Sequence, residues 1–182
     1  MIEPALPALS GWENFYVIIG SSAAALIGLQ FVVIALIKDT RTRTNSGTIS
    51  AFGTPTVVHL GGALVVSAAM SAPWPTLTSI SIVLTICGLI GIGYAASIIA
   101  HARRQTGYAP VFEDWLWHMI LPSLAYMALT ISALLMRADT RGALFVIGAA
   151  ALALLLIAIH NAWDTVTYLV ISTDRSGTPG GE

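Results

Sequence analysis

His160 and Asp164, in the segment HNAWD, stand four residues apart, so on a helix they share one face, and Tyr168 continues that face. Asp114 and His118, in EDWLWH, repeat the relation in reversed order. A carboxylate beside an imidazole fixes the ring tautomer and raises its basicity. That arrangement serves both metal second shells and proton relays. His59, Gln30 and Asn161 are further hydrogen-bonding side chains set inside otherwise apolar runs. Polar groups so placed are costly in hydrocarbon and normally face a bundle interior with a partner.

Three readings fit this set. In the first, His59, His118 and His160 supply nitrogen ligands and Asp164 is a fourth ligand or an orienting group. Three protein ligands plus water is the catalytic zinc pattern, and the bound water becomes acidic enough to attack an ester or amide. The HxxxD spacing of His160 and Asp164 resembles one element of the membrane hydrolases related to alkaline ceramidases. That likeness covers five residues; the second His pair and the seven spans of those enzymes are absent. It implies a metal-dependent lipid amide or ester hydrolase. In the second reading, His59 and His160 hold haem b between two helices for electron transfer, with Gly61 and Gly62 giving the macrocycle room. In the third, no cofactor is involved. His160, Asp164, Asp114, Gln30 and Asn161 line a proton or solute path or bond one another. The sequence favours this third class, a binding, proton-transport or solute-transport role. Whether the chain is an enzyme stays open.

The rest of the chain says where these residues must sit. Of 182 residues, 56% are hydrophobic and 9% charged. Soluble domains carry about a quarter charged residues. Too few charges remain to coat a globule of this size, which excludes a soluble enzyme, a disordered chain and a secreted disulfide scaffold. A net charge of −1 offers nucleic acid no basic surface. The lone Cys87 lies in an apolar run and reads as a small core filler. The N-terminal stretch MIEPALPALSGWENF has no basic region, so the first apolar run is expected to be retained rather than cleaved. The class is an all-α integral membrane protein, in the plasma (inner) membrane if the source is bacterial, with membrane lipids as partners.

A bilayer core needs about 20 apolar residues in a helix. Runs at about 13–37, 77–101, 112–136 and 143–171 qualify plainly. A fifth, at 53–72, is weaker because it holds Pro55, His59 and Gly61-Gly62. Thr54 followed by Pro55 reads as an N-cap and first helical residue, with 49–53 a short lead-in along the membrane surface. Charge parity decides that this segment crosses. Lys38, Arg41 and Arg43 follow the first run, and Arg103 and Arg104 follow the third. Cytoplasmic loops collect such residues, so both groups belong inside and two crossings must separate them. The expectation is a single bundle over 1–172 with five spans, the N-terminus outside and the C-terminus cytoplasmic, followed by a disordered polar tail at 173–182. Trp12, Phe15, Tyr16, Trp74, Tyr108, Trp115, Trp117 and Tyr168 read as an interfacial aromatic belt.

On this frame, at 1.5 Å per residue, Gln30, His118 and Asp164 lie about 9–10 Å in from the cytoplasmic ends and His160 about 16 Å. The chemistry is concentrated in the cytoplasmic half. Glu113 and Asp114 also suit the helix start, where negative charge meets the dipole, and His101 beside Arg103 and Arg104 suits lipid phosphate. Gly20, Ala24 and Gly28 form a small-residue stripe that serves internal packing or a homo-oligomer seam. Pro122, inside the fourth span, removes the bond to the carbonyl of His118 and predicts a bend there. Reporter fusions after Arg43 and after Arg104 are expected to signal cytoplasm, and one at Trp74 the outside. Opposite signals from the first two would delete the second span.

Overall fold

The computed structural model describes residues 7–40, 46–102 and 112–176. The elements are α1 (Pro7–Ser10), α2 (Glu13–Thr40), α3 (Ser46–Ser71), α4 (Leu77–Ala102), α5 (Phe112–Trp115), a π-helical turn (Leu116–Ile120), α6 (Leu121–Leu135) and α7 (Thr140–Ser176). Hydrocarbon offers the backbone no hydrogen-bond partner, so an apolar chain of this kind satisfies its amides within helices. Five segments are long and apolar enough to cross a membrane: Glu13–Ala35, Thr54–Ser71, Leu77–Ala100, Leu116–Leu135 and Thr140–Thr167. The weak second run is therefore a helix of spanning length, as charge parity requires. The charged loop residues Arg41, Arg43, Arg103 and Arg104 lie outside the described residues.

Successive spans run in opposite directions. Gly20, near the start of α2, meets Ser67, near the end of α3. Ser81 of α4 donates to the carbonyl of Ala133 near the end of α6. One end of the bundle thus carries the short turns 72–76 and 136–139. The other carries the ends of α2, α4 and α7 and the starts of α3 and α5, and is called the loop end below. At the short-turn end, the Thr76 hydroxyl accepts the Ser79 amide at 3.2 Å, and Asp139 accepts the Gly142 amide at 2.9 Å. These side chains cap α4 and α7 by satisfying orphan amides of the first turn.

α7 packs between α3 and α6, with α2 laid chiefly on α3 and α4 on α6. Burial follows that order. In the membrane segments, 50% of α3, 44% of the π turn and α6, and 56% of α7 are buried, against 17% of α2 and 22% of α4. α3, α6 and α7 are the inner triad, and α2 and α4 present aliphatic faces such as Ile18, Leu29, Ile82 and Ile90 outward.

Four expectations are corrected. α3 starts at Ser46, not at Thr54, and carries the buried Pro55 inside it. The segment 49–53 is thus continuous with the helix. Losing one N–H at Pro55 costs less than a break, which would orphan several backbone groups near hydrocarbon. At Pro122 the chain widens into a π turn instead of simply kinking. Leu121 donates its N–H to the carbonyl of Leu116, five residues back, and the Ser123 hydroxyl donates to the carbonyl of Met119 at 2.6 Å. Of the small-residue stripe, Gly20 packs internally against Ser67, while Ala24 is exposed and Gly28 meets open space. α7 also runs past residue 172 to Ser176; residues 177–182 lie outside the described residues.

The closest helix approach is α4 on α6. A methyl group built at Gly91 would overlap the ring of Tyr126, so only glycine lets that ring lie against the α4 backbone. One turn outward, Gly88 receives Thr130 in the same way. Gly93 faces open space. Gly91→Ala is expected to destabilise by about 1–3 kcal/mol through overpacking, and Gly93→Ala to stay within about 0.5 kcal/mol of the parent. Thermal unfolding of both variants in one detergent checks the contrast; equal melting would show that α4 and α6 do not pack as described.

Candidate functional site

The inner triad carries the polar residues. His59 lies on α3 with no exposed surface. Its Nδ1 is 3.2 Å from the hydroxyl of Tyr126 on α6. Its ring meets Tyr126 tilted at 5.8 Å between centroids and Tyr94 of α4 edge-on at 6.1 Å. Two proton placements are open to this pair. If the Tyr126 hydroxyl donates to Nδ1, then Nε2–H is a donor; if Nδ1–H donates to the hydroxyl oxygen, Nε2 is an acceptor. Nε2 itself has no partner. Tyr126 fits because α3 and α4 both give it room: Gly62 faces its hydroxyl and Gly91 its ring.

His118 is held on the π turn, within electrostatic reach of His59, and its buried Nδ1 is unpartnered. The wider turn sets the direction of His118 differently from an unbroken α-helix, and such bulges recur at functional sites. Asn161 of α7 is 1% exposed, and neither its amide nitrogen nor its oxygen has a partner. Its depth follows from the register. Gly62 is level with Leu154, whose Cδ1 would lie 3.5 Å from a methyl group there. His59 is three residues from Gly62 and Asn161 seven from Leu154, both toward the loop end, so Asn161 lies about 6 Å nearer that end than His59.

One residue before Asn161, His160 leaves the interior for the α6 side. Its ring stacks on Trp117 at 3.7 Å and 20°. Its Nε2 is 3.0 Å from Oδ2 of Asp164, whose side chain is 47% exposed. The two atoms are close enough to pair when His160 is protonated, but they are not aligned as a hydrogen bond. The i,i+4 pairing read from HNAWD is therefore present, with an aromatic lid on the imidazole. Trp117, read as part of the aromatic belt, packs on His160. One reading of the belt is corrected: Tyr16 is 1% exposed inside the bundle.

The polar set does not gather at one point. His59, His118 and Asn161 face the interior, and His160 with Asp164 forms a second group toward the loop end. Gln30 stands apart, lining a groove between α2 and α7. The side chains of Asp114 and Tyr168 lie outside the described residues. Among the described residues, no three His, Cys, Asp or Glu side chains come close enough together to hold a metal ion, so His59, His118, His160 and Asp164 do not form a zinc set as placed. The space that Gly62 was expected to give a haem is taken by Tyr126 and Leu154, and His160 is covered by Trp117.

The sequence reading passed over Tyr94 and Tyr126. A tyrosine far from either end of a span is a polar handle needing a partner, and that signal was available at Tyr126. Its pairing with His59, 67 residues away, was not. Tyr126→Phe is expected to cost about 1–3 kcal/mol by leaving His59 Nδ1 buried and unpartnered. A double-mutant cycle with His59→Leu should give a coupling of at least about 0.5 kcal/mol; additive losses would mean the two groups do not bond.

Compared with protein-family models, with curated proteins and with solved structures, the chain matches none of them.

Proposed function

We propose that this is an integral membrane protein of the binding and transport class, in which a small hydrogen-bonding solute or a transferred proton engages His59, His118 and Asn161. The observation that carries this reading is the set of unpartnered atoms. His59 Nε2, His118 Nδ1 and both amide atoms of Asn161 are buried without a bond. Each such atom costs about 1–3 kcal/mol unless something fills its need. A species bearing both a donor and an acceptor, water included, suits two imidazoles and a carboxamide.

Access favours the loop end. Asp164, half exposed, and His160, behind it against Trp117, form a titratable pair between that end and the buried group. A proton taken up by the carboxylate passes to His160, whose cation is held by the facing indole as well as by Asp164. His59 then serves as the inner acceptor: with its Nδ1–H donating to the Tyr126 oxygen, its Nε2 takes up a proton and returns it from the same atom. By the charge rule, the loop end is the cytoplasmic one.

Proton flux into liposomes containing the purified protein, driven by a pH step and read with a trapped pH dye, tests the reading. His59→Gln is expected to lower the protein-dependent rate by about two orders of magnitude, the usual worth of a positioned proton-transfer group. Asp164→Asn should lower it less, because water reaches His160 by other routes. Equal rates in protein-free liposomes, parent and His59→Gln would remove the transport reading and leave a structural network.

A further inference from the structure

Helical register brings the imidazole of His59 and the carboxamide of Asn161 toward each other. Leu154 of α7 faces Gly62 of α3. Asn161 follows seven residues later, two turns with a rotation of only about 20°, so it keeps the face of Leu154 and looks at α3. A helical side chain leans toward the N-terminus of its own helix. α3 starts at the loop end and α7 at the short-turn end. His59 therefore leans toward the loop end and Asn161 away from it, so their offset of about 6 Å closes from both sides. Ala158, one turn from Leu154 on the same face, lies at about the depth of His59 and is fully buried. Only a methyl group of α7 stands opposite the imidazole there. We propose that one water molecule sits between His59 Nε2 and the Asn161 amide, and that Asn161 is the positioning residue for proton transfer to His59. The proposal rests on the transport reading above and names what the buried group holds.

Chemistry selects water. His59 Nε2 and the Asn161 amide do not bond each other, so the gap between them is longer than one hydrogen bond. A bridging water spans two, about 5.6 Å between the outer atoms. It donates to Nε2 and accepts from the Asn161 Nδ2, which gives it the two partners a buried water needs at least. His118, whose buried Nδ1 is also unpartnered, lies within electrostatic reach of His59. A resident ion does not suit the place: among the described residues no Asp, Glu, Lys or Arg side chain is buried, and an ion without a counter-charge is costly in so apolar a setting. A carboxamide does not titrate, so the work of Asn161 is to hold the water. In the transfer step an O–H bond of the water breaks as the N–H bond at Nε2 forms, and the water oxygen takes a proton arriving from the His160 side. The water is regenerated, and the imidazole becomes an imidazolium whose Nδ1–H stays on the Tyr126 oxygen.

The test is water-edited solid-state NMR of the full chain in liposomes, with isotope-labelled histidine and the His59 signal identified by its loss in His59→Gln. In the parent, polarisation from water is expected to reach His59 Nε2. Asn161→Leu, which keeps the volume but neither donates nor accepts, should abolish that transfer and lower proton flux about a hundredfold, the cost of a misplaced reacting group. If Asn161→Leu fails to fold, Ala158→Val fills the gap with both polar groups kept and is expected to give the same losses. A parent with no water contact at His59, or an Asn161→Leu protein with the contact of the parent, overturns the water. A parent that shows the contact yet moves no protons supports the water and removes the transport reading instead.

Discussion

In hydrocarbon a polar atom has no partner except one the protein supplies. That constraint shapes this molecule at every scale. It turns the apolar runs into unbroken helices, so that α3 continues through Pro55 and the fourth span meets Pro122 with a widened turn. It draws the hydrogen-bonding side chains of α3, the π turn and α7 into the three helices with the most buried surface. α2 and α4, which among the described residues bury no imidazole or carboxamide, are left outside as an aliphatic shell.

Small residues convert that arrangement into specific contacts. Tyr126 reaches His59 only because α3 and α4 both withdraw their side chains, at Gly62 and Gly91. One slot thus joins three helices around a single phenol, and the imidazole is oriented by a residue on another span. The π turn acts nearer the loop end. It absorbs the missing N–H of Pro122 and places Trp117 over His160 and His118 near His59. A backbone defect and a pair of glycines therefore do the positioning that a soluble protein would give to loops.

Most of the fold was legible in the sequence because spanning length and hydropathy are one-dimensional signals. Even the weak second span followed from where Lys38, Arg103 and Arg104 stand. The start of α3 was not legible, since Thr54-Pro55 has the local form of a helix start and only the continuous helix shows otherwise. In the site, residues read as polar within apolar runs are placed as follows: His59 and Asn161 are buried in the triad, His118 on the π turn buries its Nδ1, and His160 lies against Asp164. What escaped depended on contacts between helices. Tyr16 has the composition of an interface anchor, yet packing brings it inward, and the stacking of Trp117 on His160 escaped as well. The gathering of all the histidines into one centre also did not follow, because spans at similar depth still present their side chains to different neighbours.

A network kept only for structure is expected to satisfy itself, and the rest of this bundle largely does. The hydroxyls of Thr85, Thr130 and Ser132 donate to carbonyls one turn back, and that of Ser81 donates across to Ala133. The exceptions in the short-turn half are two hydroxyls, Tyr16 and Ser67, each a single small group at a helix contact. In the loop-end half the unpartnered atoms belong to the imidazoles of His59, His118 and His160 and to the Asn161 carboxamide, with His160 Nε2 lying 3.0 Å from Asp164 without a hydrogen bond. Those groups can donate and accept at once. Aliphatic residues of the same volume would have packed there at less cost. Retaining groups with unmet hydrogen-bonding capacity, beside a half-exposed His–Asp pair leading toward one face, is what a site for a transient polar occupant requires and what inert structural glue does not.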